Sequence, residues 1–166
     1  MKIKLIVVAC AVAFASTGAV AATSTSTFAV QTNVTAACDV SASPMTFTDV
    51  NPLTNAGAAT DGSTTVAVTC SNTTPYNIGL NAGAYAGATV TSRKMNIGTS
   101  TDTLNYELSS DSGFATNWGE TVGTDTVADT GTGASQDHTV YGRIPSGQQT
   151  AKVGAYADTI TVTVTY

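Results

Sequence analysis

Few residues of this sequence could support catalysis. His138 is the only histidine, and it stands next to Asp137 and three residues after Ser135. Neighbouring residues on a β-strand point to opposite faces, so Asp137 is poorly placed to orient the His138 ring as a catalytic triad requires. We therefore interpret His138 as a surface histidine and predict that the chain is not an enzyme.

Residues that could bind a metal ion or a ligand are also scarce. Asp125 and Asp129 lie in a stretch rich in Gly and Thr, but the terminal glutamate of a calcium loop is missing, which leaves an incidental calcium contact as the alternative. Trp118 beside Gly119 could form a platform for a sugar, although a single aromatic side chain more often packs in a core or at its edge. We predict no metal and no cofactor.

Residues 1–21 have the features of a secretory signal peptide. A short positively charged start precedes the apolar run Leu5–Ala15, and the small residues Ala19 and Ala21 fit a signal peptidase site, with cleavage after Ala21 or Ala22. An uncleaved membrane anchor is the alternative, but the run falls short of the roughly 20 apolar residues that span a bilayer. We predict an exported mature chain that is not inserted in a membrane.

The cysteines indicate one disulfide in that mature chain. Cys10 leaves with the signal peptide, and Cys38 and Cys70 remain. In an oxidising compartment an even number of cysteines favours a disulfide. Two free thiols or a metal-binding pair are the alternatives, and zinc would need two further ligands in a chain with one histidine.

The charge composition argues against nucleic acid as a partner. Only 10% of the residues are charged, and six Lys and Arg face eleven Asp and Glu, for a net charge of −5. A protein that binds nucleic acid must neutralise phosphates with basic residues, which are few here.

Apolar and polar residues alternate with a period of two along most of the mature chain, as in half-buried β-strands. The pattern is clearest at the C-terminal end, where the apolar positions are Ile160, Val162, Val164 and Tyr166. The other alternating runs are Phe28–Val34, Val66–Cys70, Tyr76–Leu80, Leu104–Leu108 and Val140–Ile144. We predict an all-β fold, an incomplete immunoglobulin-like antiparallel sandwich of about six strands, with a loop at Gly119–Gly133.

Two features of this predicted sandwich point to strand exchange between chains. An immunoglobulin-like sandwich has about seven strands, so one is missing after Cys38. The strongest strand is the last one, which leaves its edge free to pair with another chain. At the other terminus Phe28–Val34 is a spare strand-forming segment behind the polar residues Thr23–Thr27. This arrangement is the one needed for head-to-tail strand donation.

Taken in order, these segments resemble the spore coat protein U domain family, which includes subunits of archaic chaperone–usher pili. The resemblance covers essentially the whole mature chain and includes the cysteine pair and the aromatic C-terminus. The matching segments are Phe28–Val34, Val66–Cys70, Pro75–Ile78, Leu104–Leu108, Val140–Pro145, Tyr156–Ile160 and Val162–Tyr166.

The resemblance implies a sandwich that is completed by a donated strand. A periplasmic chaperone lends a strand first, and an outer-membrane usher exchanges it for the N-terminal segment of a neighbouring pilin subunit. The donor strand would present Phe28, Val30, Thr32 and Val34. The acceptor groove and the chaperone contact would involve Ile160, Val162, Val164 and Tyr166. The sequence departs from the family at Thr32, where related donors tend to carry a larger apolar residue.

We therefore predict three regions: a signal peptide at 1–21, an N-terminal extension with the donor strand at 22–37, and an incomplete pilin domain at 38–166. The resemblance implies a structural subunit of a surface pilus of a Gram-negative bacterium, exported through the periplasm, polymerising by donor-strand exchange and serving adhesion and biofilm attachment. The alternative is a stand-alone secreted surface coat or ligand-binding module.

Overall fold

The computed structural model describes residue 18 and residues 20–166, and within them the chain forms strands and no helix. The eight strands are β1 Cys38–Ala42, β2 Thr60–Cys70, β3 Pro75–Leu80, β4 Arg93–Asn96, β5 Thr103–Ser109, β6 Val127–Thr130, β7 Ser135–Ile144 and β8 Val162–Thr165. The chain divides into two units after Asn33, and all eight strands belong to the second unit. Most of the predicted signal peptide, residues 1–17 and 19, lies outside the described residues.

The strands form two antiparallel sheets. One has the order β1-β2-β7-β5-β4, and the other has the order β6-β3-β8. The longest ladder joins β2 to β7, from Thr60 opposite Ile144 to Thr69 opposite Ser135. The predicted all-β, antiparallel architecture is confirmed. No helix in the described part of the chain is long and apolar enough to cross a membrane.

The core lies between the two sheets and is built from the alternating positions. The buried apolar residues are Val66, Val68, Cys70, Tyr76, Ile78, Leu80, Leu104, Tyr106, Leu108, Trp118, Val140 and Ile144. Trp118 is 1% exposed, and its indole Nε1 donates a hydrogen bond to the Ile78 carbonyl over 2.8 Å. Its interpretation as a core residue is therefore confirmed.

The described residues form eight strands where about six were predicted, and β1, β4 and β6 have no counterpart among the predicted runs. The prediction of a loop over Gly119–Gly133 was wrong in part, because β6 lies within it and pairs with β3 from Pro75 opposite Thr130 to Ile78 opposite Val127. The residues before β6 cover the outer face of β3 at Gly79, where an added Cβ would lie 3.1 Å from the Glu120 Cα. Within the stretch, Gly131 also marks a close approach of two backbones, because an added Cβ there would clash with the Ser71 carbonyl oxygen.

The predicted disulfide joins β1 to β2. Cys38 and Cys70 are directly opposite each other in the ladder, their Cα atoms are 4.1 Å apart, and their sulfurs are bonded. The bridge closes a loop that contains the whole connection from β1 through β2.

Reduction of this bridge is expected to lower the free energy of unfolding by about 3.7 kcal/mol, because the unfolded chain regains the freedom of a loop of roughly 33 residues. Urea unfolding followed by Trp118 fluorescence, with and without reductant, measures the difference. The variant with both Cys38→Ala and Cys70→Ala is the control and should not respond to reductant. Equal unfolding midpoints for the oxidised and reduced wild-type chain would contradict the expectation.

Candidate functional site

A cleft of about 1080 Å³ opens between the two sheets. Its floor consists of core side chains from both sheets: Val66, Leu80, Leu104, Leu108, Val140 and Ile144. One rim is formed by residues 42–50, which follow β1, and the other by residues 151–160, which precede β8. The cleft therefore lies on the side of the sandwich where the edge strands β1 and β8 approach within 8 Å, Cα to Cα.

A pair of glycines makes room for the first rim. Gly62 and Gly142 are partners across β2 and β7. An added Cβ at Gly142 would clash with the sulfur of Met45, and one at Gly62 would lie 3.1 Å from the ring of Phe47. Met45 and Phe47 are half-buried against the core. The absence of side chains at the two glycines thus allows Met45 and Phe47, which follow β1, to pack between the sheets.

The second rim is a row of alternating side chains that begins before β8. The residues facing inward are Tyr156, Asp158, Ile160, Val162 and Val164, and the residues between them are exposed. Only the last part, Val162–Thr165, pairs with β3 as a regular strand. The row is apolar except at Asp158.

The backbone of this row has one edge free. The Thr161 N–H donates to Asn81 Oδ1 (2.9 Å) and its carbonyl accepts from the Asn81 N–H (3.2 Å), and Ala157 exchanges both backbone bonds with Asn96 (3.0 and 3.1 Å). In antiparallel pairing alternate residues turn their N–H and C=O groups to opposite sides. The groups of Val162 and Val164 therefore face away from β3, toward the open edge.

The other sheet has a matching free edge at β1. The Ala37 carbonyl accepts from the Ser71 N–H (2.9 Å), and the Ser43 N–H donates to the Thr65 carbonyl (3.0 Å), so odd-numbered residues face β2. The backbone groups of the even-numbered residues, such as Val40, point away from it. Within residues 20–166, β1 pairs only with β2 and β8 pairs only with β3. Each edge has free backbone groups that can pair with another strand, although β1 contributes only Ala42 to the cleft.

Asp158 anchors the rim that precedes β8. Its Oδ2 accepts the Tyr106 hydroxyl hydrogen (2.6 Å), and its Oδ1 accepts the N–H groups of Ala84 (2.7 Å) and Thr159 (2.8 Å). Burial, and secondarily the Asp158 carboxylate, raise the pKa of the Tyr106 phenol, which stays a hydrogen-bond donor. Gly83 has φ +94°, and a side chain there would clash with the carboxylate. Asp158 thus fastens the rim to β5 and to the chain after β3.

Arg93, at the start of β4, ties together the chain segments behind this rim. It is fully buried, and its guanidinium donates to four carbonyl oxygens, those of Leu80, Asn81, Val90 and Trp118, over 2.6–2.9 Å. Burial lowers the pKa of the guanidinium from its ordinary value. Leu80 is the partner of Val162 in the ladder, so Arg93 supports the strand on which β8 rests.

The comparisons with known proteins agree with this geometry. The family model of the spore coat protein U domain matches residues 24–163. This chain belongs to that family. A comparison with curated proteins gives no match.

A solved structure shares the fold of this spore coat protein U domain. It is the CsuC–CsuE chaperone–tip adhesion subunit pre-assembly complex from the archaic chaperone–usher Csu pili of Acinetobacter baumannii, matched with a TM-score of 0.60 and 21% identity. The match covers 80% of this chain and 40% of the other, so this chain spans less than half the length of that relative.

The structure places the predicted acceptor residues of this spore coat protein U domain at different depths. Ile160 and Val162 line the cleft, whereas Val164 packs against the core without lining it. Tyr166 is 60% exposed and does not line the cleft. The lining instead reaches back to Tyr156, which the sequence prediction of the acceptor site left out.

The predicted donor segment, residues 28–34, is exposed. Phe28, Val30 and Val34 expose 88%, 84% and 91% of their surfaces, and Thr32 is exposed as well. Residues 20–37 contain no strand, and residues 22–37 contain no charged side chain. Apolar side chains at alternate positions are thus left without cover in the single chain.

The interpretation of His138 as a surface histidine was wrong. Its side chain is 13% exposed, because it lies two residues before buried Val140 on the inward face of β7. Its Nε2 is 3.0 Å from the Tyr76 hydroxyl and 3.8 Å from the Asp129 carboxylate, whereas Asp137 is exposed. This polar cluster joins the two sheets. No group of three metal-binding side chains occurs among the residues that the structure describes.

Proposed function

We propose that this protein is a structural subunit of an archaic chaperone–usher pilus that polymerises by donor-strand exchange. The observation that carries the proposal is the apolar cleft between the two sheets, bordered by the free backbone edge of the row from Tyr156 to Val162 that leads into β8. A strand laid along this edge would bond to the outward backbone groups of the row and cover the core side chains beneath. The fold shared with the Csu pre-assembly complex supports the same conclusion.

The donor is residues 28–34 of the neighbouring subunit. Full burial of an apolar side chain contributes about 1.5–3 kcal/mol, so Phe28, Val30 and Val34 together supply several kcal/mol to each joint between subunits. The same side chains are exposed in the single chain and contribute little to its own core. The segment and the cleft share an apolar character.

The proposed partners follow from this cycle. A periplasmic chaperone occupies the cleft until an outer-membrane usher exchanges its strand for that of the next subunit, and the fibre then stands on the cell surface, where it serves adhesion and biofilm attachment. The signal-peptide features of residues 1–21 and the disulfide support a route through an oxidising compartment. The role is structural, and no catalytic residue takes part in it.

Deletion of residues 22–34 tests the proposal. The intact mature chain, expressed with its chaperone and usher, should form high-mass fibres visible by electron microscopy, and the shortened chain should stop at the chaperone-bound subunit with its disulfide formed. A chain in which residues 22–34 are replaced by a Gly/Ser segment of equal length is the matched control and should behave like the deletion. Fibres from either variant contradict donor-strand assembly, and an intact chain that stays monomeric favours a stand-alone surface module.

A further inference from the structure

The donor segment carries one polar residue in an otherwise apolar row. Phe28, Val30 and Val34 share one face of the segment with Thr32, because side chains alternate along a strand. A hydroxyl that enters an apolar groove without a hydrogen-bond partner costs free energy. A second polar group in the groove would remove that cost.

The cleft carries one polar residue in its own apolar row, and that residue has an unused acceptor site. A carboxylate can accept about four hydrogen bonds, two on each oxygen. Asp158 Oδ1 accepts two, from Ala84 and Thr159, whereas Oδ2 accepts one, from Tyr106. Asp158 also lines the cleft, and Oδ2 is the carboxylate oxygen with the fewer hydrogen bonds.

Building on the proposed function, we infer that Thr32 of a second copy of this chain donates its hydroxyl hydrogen to Asp158 Oδ2 and so sets the register of the donated strand. The occupant of the cleft is thereby specified as a segment with a small hydroxyl residue at this position. Related donors with a larger apolar residue there fit this groove less well.

The residue spacing in both rows agrees with this register. If the donor runs antiparallel to the rim with Thr32 opposite Asp158, Val30 lies opposite Ile160, and the outer pairs are Phe28 with Val162 and Val34 with Tyr156. All four of these rim residues line the cleft. The register thus spans the lined part of the rim and leaves Val164 and Tyr166 outside.

Other registers are disfavoured by the same two polar groups. A shift by two residues would set Val30 or Val34 on the carboxylate and cover its free acceptor site with an apolar side chain, which costs the hydration of that site. A shift by one residue would turn Gln31 and Asn33 into the groove. Asp158 therefore acts both as an attractive contact for the correct register and as a penalty on the alternatives.

Peptide binding to the oxidised mature chain tests the inference. A fluorescent peptide of residues 26–36 is titrated with the chain by fluorescence anisotropy, alongside its Thr32→Val and Thr32→Ser forms. Valine keeps the shape and removes the hydroxyl, so we expect at least tenfold weaker binding. Serine keeps the hydroxyl, so we expect binding within threefold of the wild-type peptide. On an Asp158→Asn chain the advantage of threonine over valine should fall to less than threefold.

The outcomes separate this inference from the proposed function. A Thr32→Val peptide that binds as tightly as wild type, or more tightly, overturns the Thr32–Asp158 contact and leaves donor-strand binding intact. If none of the peptides binds, donor-strand binding itself fails, and the contact fails with it. Because the peptide variants leave the cleft unaltered, the comparison of Val with Ser decides the question even if the Asp158→Asn chain does not fold.

Discussion

Val30→Arg is expected to reduce the yield of surface fibres at least tenfold while the subunit still folds and forms its disulfide. Val30 is 84% exposed in the single chain, so arginine is tolerated there. In the fibre the same side chain would enter the core of the next subunit, where an unpaired charge costs several kcal/mol. The mutant subunit should still bind the chaperone, because its own cleft is unchanged.

Gln31→Arg is the matched control for this experiment. It adds the same side chain one residue away, on the face of the donated strand that points out of the groove. Fibre yield, disulfide formation and co-purification with the chaperone are measured for both variants. Wild-type fibre yield from Val30→Arg would mean that the segment is not the donor, and loss of chaperone binding would mean that it belongs to the subunit's own fold.

Arg93→Met is expected to destabilise the subunit by about 3 kcal/mol or more. Methionine fills much of the space of the arginine side chain. It cannot donate hydrogen bonds, so four carbonyl oxygens lose the guanidinium as a donor, and the bonds to Leu80 and Trp118 are buried. A buried polar group that loses its partner costs about 1–3 kcal/mol, and relief of the buried charge offsets part of the sum. Urea unfolding of the oxidised mature chain, followed by Trp118 fluorescence, measures the change.

The neighbouring substitution Lys94→Met separates the buried network from a general effect of losing a cation in β4. Lys94 is partly exposed, and its Nζ lies 5.8 Å from the centroid of the Tyr85 ring, a weak contact. We expect a change below about 1 kcal/mol for this variant. An equal loss of stability in the two variants would show that the four carbonyl contacts of Arg93 do not account for the destabilisation.

The strands that the sequence predicted are those with one face in the core. Val66 and Val68 in β2, or Leu104 and Leu108 in β5, alternate with polar residues because burial selects apolar side chains at every second position. The same pattern predicted β3, β7 and β8. The local sequence is sufficient to predict these strands, because the alternation of apolar and polar residues is complete within each strand.

Strands β1, β4 and β6 lacked this signal, and in β1 only Cys38 and Val40 are half-buried. The buried position of β4 is Arg93. Its burial depends on the carbonyl groups of nearby Val90 and of two distant segments, at residues 80–81 and at Trp118, and a hydrophobic pattern does not show such contacts. In β6 only Val127 is apolar and half-buried among residues that face solvent. Pairing with β3 defines this strand, and pairing partners are not visible in a short run of Gly and Thr.

The extent of the candidate site was only partly predictable. The apolar alternation after Ile160 pointed to the C-terminal end, whereas the cleft begins further back, at the rim that contains Asp158. A carboxylate at an inward position breaks the apolar pattern, and two of its three hydrogen bonds come from residues far away in sequence, Ala84 and Tyr106. The other rim depends on Gly62 meeting Gly142 across two strands, which only the ladder register reveals.

The absence of charge in residues 22–37 has a consequence for where such a fibre can work. Dissolved ions screen interactions between charges over a Debye length that shrinks from about 10 Å at 0.1 M to about 3 Å at 1 M, but they do not screen the burial of apolar surface in this way. A joint made from Phe28, Val30, Val34 and backbone hydrogen bonds has almost nothing for salt to weaken. Ionic strength would therefore act mainly on the acidic side chains of neighbouring subunits, where screening weakens their repulsion. The stability of the joint between subunits should not fall as the salt concentration rises.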